Sequence, residues 1–304
     1  MVALNNKPTR TDATLITYPL MPLMGRARLG ADGREGPVDA AARGRCLRMA
    51  LATPSPYGAI RCHPWSVQAW TDEDLGTEFE QRLDGLLVEF CPDWRHPELP
   101  EPYSSNQRFV AYHRRNANRR HLGDLLTAQP EVAAAVASRV LAAIVCDEDV
   151  AANKELIYPM LAAIGRRRVQ RYLIAVIETG PEHKKVGAVR AWYWSQVSLV
   201  YESVEDLRAR RPTATSRAAD DEMADLRGLY RIACLTAFVT CPHAATREWL
   251  ARGTILKDAY YPANLRDLVA QARAIAEEDP RRYKDLLARE VDGTNMAQLG
   301  FEDP

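Results

Sequence analysis

Two arginine clusters and one aromatic run are the parts of this sequence best equipped for recognition. The denser cluster is His113-Arg114-Arg115-Asn116-Ala117-Asn118-Arg119-Arg120-His121. On a helix Arg115 and Arg119 fall four apart on one face, flanked by Arg114 and Arg120. A guanidinium presents its donors as a planar fork that matches phosphate and carboxylate oxygens. Tyr103, Phe109 and Tyr112 are close by in sequence, so stacking on a nucleotide or nucleic acid is one reading. The other reading, commoner for charge runs, is a solvated face paired with acids elsewhere.

The second cluster is Arg166-Arg167-Arg168 with Arg171. It follows Gly165, which reads as a helix terminus, where cations complement the carbonyl end of the dipole. An anionic partner gains weight if the two clusters face one groove. The aromatic run is Trp192-Tyr193-Trp194. Tyr193 shares a helical stripe with Val186, Val189, Val197 and Val200, and Trp192 sits beside Leu199, so both read as core. Trp194 falls on another face and is a candidate for a binding surface, since tryptophan and arginine dominate interface hot spots. The candidate binding residues are therefore Arg114, Arg115, Arg119, Arg120, Arg166, Arg167, Trp192 and Trp194.

Catalytic chemistry finds no constellation. HExxH, GxSxG, GxxxxGK[ST] and GxGxxG are all absent. Asp147-Glu148-Asp149 has the look of a paired-carboxylate site, yet it precedes a helix start, where acids are favourable anyway. Asp220-Asp221-Glu222 opens the next long helix in the same way. Cys46, Cys62, His63, Cys91 and His96 match no zinc-finger spacing. The six cysteines include no CxxC pair and read as reduced, buried thiols. A thiol sensor has only that count in its favour. No catalytic residue, metal or cofactor is expected.

The elements that position these residues are helices. Thr71-Asp72-Glu73-Asp74 is a capping-box pattern, followed by one apolar stripe of Leu75, Phe79, Leu83, Leu86, Leu87 and Phe90 that ends at Cys91-Pro92. Pro92, Pro97, Pro100 and Pro102 mark a linker or surface loop. Beyond residue 122 almost everything reads helical. Four segments open on proline, at Pro130, Pro181, Pro242 and Pro280, a residue suited to the first helical position. Three of them follow another apolar-periodic run. Pro159 either starts a helix after Tyr158 or kinks one begun near Asp149. Arg210 to Arg217 reads as a mobile loop between helices.

Gly165 to Trp194 is the clearest helix, turn, helix unit, and its second helix carries Val186-Gly187-Ala188-Val189-Arg190-Ala191. This resembles a HEAT-type repeat, over roughly residues 130–290. The resemblance implies a mostly α fold, a HEAT-like α-α superhelical array, with a less regular helical N-terminal region. The expected organisation is a poorly ordered segment 1–35, an irregular helical region with a proline-rich linker 36–102, a helical-repeat-like domain 103–290 and a tail 291–304. A helix is expected around Val38 to Met49.

Composition narrows the function. Basic and acidic residues both number 40, so the net charge is zero, which argues against a strongly basic nucleic-acid protein while leaving a local patch open. Only six of the basic residues are lysines; the arginine and alanine bias reads as GC-rich, bacterial coding. Pro19 and Pro22 interrupt the apolar run near the N-terminus, unlike a signal peptide, and no run is long enough to span a bilayer. A cytoplasmic protein is expected. Stacked helix pairs build binding surfaces and seldom carry chemistry, so the expected function is noncatalytic protein–protein interaction. The alternative is a nucleic-acid-binding protein: some HEAT-like proteins are DNA glycosylases that excise alkylated bases with aromatics, arginines and one acidic residue. No acid of this sequence matches that last position.

Overall fold

The apolar stripe behind residue 72 becomes helix α1, Asp72–Phe90, with Phe79, Leu83, Leu86 and Leu87 buried on one side. The computed structural model describes residues 16–17, 72–99 and 106–291. The segments 1–15 and 18–71, with the helix expected at Val38 to Met49 and Cys46, Cys62 and His63, lie outside the described residues, as do Tyr103 and the tail. All described residues belong to one compact unit; the other unit, residues 21–68, falls outside them.

Thirteen α-helices make up most of what is described. After α1 come α2, Gln107–Ala128; α3, Pro130–Ala135; α4, Ala137–Ile144; and α5, Lys154–Ile164. Next are α6, Arg166–Thr179; α7, Glu182–Ser195; α8, Val204–Arg208; and α9, Ala214–Asp221. The last are α10, Ala224–Thr240; α11, Ala244–Leu250; α12, Arg266–Glu278; and α13, Lys284–Val291. Extended pairing among the described residues is limited to Ile16 opposite Tyr201 and Thr17 opposite Val200. None of the described helices is long and apolar enough to cross a membrane.

Side-chain caps explain several helix starts. Asn106 accepts the amide of Phe109, Ser203 that of Asp206 and Thr213 that of Ser216. The Thr213 cap converts much of the expected loop after Arg210 into α9. Asp220 and Asp221 consequently close α9 instead of opening α10, which begins at Ala224. The four prolines play different parts. Pro130 is the first residue of α3. Pro181 is extended and precedes α7, Pro242 stands two residues before α11 and Pro280 four before α13. Pro159 lies inside α5.

Apart from α8 and α9, the helices pack against one another in sequence order. α1 packs with α2, α3 and α4 with α5, α6 with α7, α10 with α11 and α12 with α13. Each pair also meets the next: α1 touches α4 and α2 touches α5; α5 touches α6 and α7; α6 touches α10 and α7 touches α11; α10 touches α12. One apolar core runs through these contacts, including Leu122, Leu126, Ile144, Leu156, Leu173, Ile177, Leu226 and Phe238. At two seams backbones approach directly. A Cβ on Gly187 of α7 would lie 1.8 Å from the Val145 carbonyl oxygen, and one on Gly123 of α2 would lie 2.4 Å from that of Glu155. The stretch from Val186 to Ala191 thus sits at a helix–helix contact: Val186, Gly187, Ala188, Val189 and Ala191 are all buried.

Candidate functional site

The His113 to His121 cluster is consumed by the protein's own acids. Arg119 is fully buried and its guanidinium donates to both carboxylate oxygens of Asp147, at 2.9 and 2.7 Å. It also donates to Asn116 and lies 5.1 Å from the centre of the Phe79 ring. Burial pushes the Asp147 carboxyl up to about 6 against the downward pull of Arg119. Arg115 pairs with Glu80 and Glu148, and Arg114 with Asp84 at 3.0 Å. Arg120 is exposed, with Glu155 3.8 Å away. Of the DED triplet, Asp149 caps the turn before α5 by accepting the amides of Ala151 and Ala152. The triplet is thus a set of arginine and backbone acceptors.

Trp94, in the proline-rich stretch expected to be a surface linker, is pinned to this region. Its ring stacks on His121 with centroids 3.8 Å apart, and its indole N–H donates to Asn118. A shallow cleft of about 220 Å³ there is lined by Arg114, Trp94 and His96 among others. Of the expected binding residues it holds Arg114 alone.

The second cluster is arranged differently. α5 ends and α6 begins at the single residue Gly165, whose φ is +82°, a left-handed conformation that favours glycine. Arg166, Arg167 and Arg168 therefore follow the carbonyl end of α5, as expected, but also form the first turn of α6, where the dipole is positive and cations are unfavourable. The two dipole terms oppose each other, and they do not account for the cluster. Gly165 gives α6 no side-chain cap, and the first turn of α6 contains no acid.

These arginines line a cleft of about 750 Å³. One wall is Ile164 to Arg168 with Arg171; the other is Val197, Ala219, Glu222 and Met223. Arg167 forms a two-pronged pair with Asp225, at 2.9 and 2.5 Å, and donates to the Glu222 carbonyl. Arg166 is half-buried and donates to the carbonyls of Ser195 and Gln196 at the end of α7. Burial lowers its pKa, opposed by Tyr158 and Asp220. Arg168 and Arg171 are exposed and form no ion pair with a described residue.

Next to Arg166 the aromatics gather. Trp194 is half-buried, meets Tyr158 edge-on at 6.0 Å and Tyr193 at 4.7 Å, and has the Lys154 ammonium 5.2 Å from its ring centre. Its indole N–H donates to the Val150 carbonyl. Burial raises the Tyr158 hydroxyl, and the Arg166 charge pulls against it; Tyr158 itself is exposed. Trp192 is core: it is buried and stacked on Tyr230 with centroids 4.0 Å apart. The structure thus brings Arg166 and Arg167 together with Arg168, Arg171 and, through Tyr158, Trp194. The Arg114 to Arg120 cluster takes no part in lining this cleft. Arg168, Arg171 and Tyr158 were not among the residues singled out for binding; the usable signal was the absence of any acid in the first turn after Gly165.

Comparison with family models, with curated proteins and with solved structures gives no match.

Proposed function

We propose that the chain is a cytoplasmic, noncatalytic helical-repeat protein of HEAT-like build that presents a helical surface to a protein partner. The observation that supports this reading best is the order of contacts. Four helix pairs and the trio of α3, α4 and α5 follow one another along the chain, α8 and α9 aside, and each group packs against its neighbours in that order, as neighbouring units of a stacked array do. A stack of this kind leaves one row of helices free along each side, the usual place for a partner to dock. The expected partner face includes the start of α6 and the end of α7, where arginines and aromatics adjoin.

Affinity capture from a native extract at moderate salt, followed by titration of the purified partner, tests the reading. The expected result is a protein that binds stoichiometrically. Turnover of a small molecule by the purified chain, with no protein partner recovered, would overturn it.

A further inference from the structure

We infer that the arginine cleft at the start of α6 seats an acidic segment of the partner protein; this rests on the protein-binding reading above. The argument begins with an electrostatic cost. Arg167 and Arg171 are four apart and Arg168 and Arg171 three apart on α6, so like charges are neighbours on the helix surface, an arrangement that destabilises a helix. Three arginines in the first turn add repulsion from the helix dipole. At the other basic cluster, Arg115 and Arg119 are offset by buried or half-buried carboxylates. Here only Arg167 has a carboxylate partner among the described residues, Asp225. Repulsion left standing in the folded chain is relieved when an anion enters.

The walls indicate which kind of anion. Ile164, Val197 and Met223 supply apolar surface beside the guanidiniums, so the occupant carries both negative charge and greasy atoms, as glutamate side chains on a peptide do. The opening of about 750 Å³ lies within the range of about 300–1,000 Å³ typical of compact ligand sites. It holds a few side chains and not a duplex. The facing wall is itself acidic: Glu222 lines the cleft, while Asp221 and Asp225 are exposed close by in sequence. A continuous phosphate backbone laid across it would meet those carboxylates. A peptide whose charges are confined to one short cluster can set them against Arg168 and Arg171 and turn uncharged atoms to Glu222.

Fluorescence anisotropy on the full chain tests this with a labelled glutamate-rich peptide and its glutamine counterpart. The glutamate peptide is expected to bind at low salt and weaken as salt rises, while the glutamine peptide does not bind. The double variant Arg168→Glu/Arg171→Glu, both at exposed positions, is expected to lose at least about tenfold in affinity with an unchanged circular dichroism spectrum. Arg120→Glu, in the other cluster, is expected to leave binding unchanged. No binding by the unaltered chain, or equal binding by the double variant, would overturn the inference. So would displacement of the peptide by inorganic phosphate at matched concentration, which would mark a free-anion site, or tighter binding of a single-stranded oligonucleotide at the same arginines. If a captured partner binds the double variant undiminished, this inference falls and the protein-binding reading stands. If the unaltered chain captures no partner, it is that reading which falls.

Discussion

Arg119 and Asp147 meet in the core with both side chains fully buried, joined by two hydrogen bonds that tie α2 to the turn before α5. The pair comes from segments 28 residues apart. Removing one member strands a buried charge, which typically costs about 3–5 kcal/mol. Arg119→Met is therefore expected to lower stability by roughly that amount in urea denaturation. Arg119→Met/Asp147→Leu, which removes both charges, is expected to cost clearly less than the single change. Equal losses would show that packing against Phe79, and not the ion pair, is what matters.

The same pair marks the limit of sequence reading. The stripe from Phe79 to Leu87 and the burial of Trp192 follow from helical spacing, because neighbours three and four apart are dictated locally. The carboxylate partners of Arg115 and Arg119 lie 28 to 35 residues away, and no local pattern assigns them. Gly165 was misleading for another reason. One glycine ends α5 and starts α6, so the arginines after it carry both end-of-helix and start-of-helix meaning. Only the three-dimensional junction reveals that the two meanings conflict. Thr213 caps α9 from within a polar run that reads as a loop.

Gly187 is expected to tolerate no side chain. A methyl group there would overlap the Val145 carbonyl, forcing α7 away from the end of α4. Gly187→Ala should destabilise by about 1–3 kcal/mol or more by overpacking, despite alanine's better helix propensity. Gly85 of α1, with open space where a Cβ would sit, is the control. Gly85→Ala should stabilise by about 0.5–1 kcal/mol, and thermal melts of both variants check the contrast.

Trp192 and Tyr230 stack face to face across α7 and α10. Trp192→Ala should cost about 3–5 kcal/mol through lost burial and a residual cavity. Trp192→Phe should recover most of it. Loss of near-ultraviolet dichroism together with a lower unfolding midpoint would report the effect.

Glu78 links α1 to α7. Its carboxylate accepts from Arg82 at 2.7 Å and lies 2.9 Å from the Lys184 ammonium. Burial pushes its pKa up, but hydrogen bonds and charge from Lys184 and Arg82 prevail and hold it at about 2. The folded value lies below the unfolded one of 4.5, so the stabilisation is fully present above pH 4.5 and is lost as pH falls through that value toward 2. Allowing for screening at a side chain about one-third exposed, the contribution is about 1–2 kcal/mol. Glu78→Gln should flatten the stability profile in that acid window and lower stability at neutral pH, as read by denaturant titrations at several pH values.

Pro159 has no amide to offer the Glu155 carbonyl four residues before it, and it is that carbonyl which Gly123 of α2 approaches. Positions 123 and 159 are thereby coupled across the α2–α5 seam. The acceptor that one helix leaves over at its proline is the surface that the other helix, bare at its glycine, is shaped to meet.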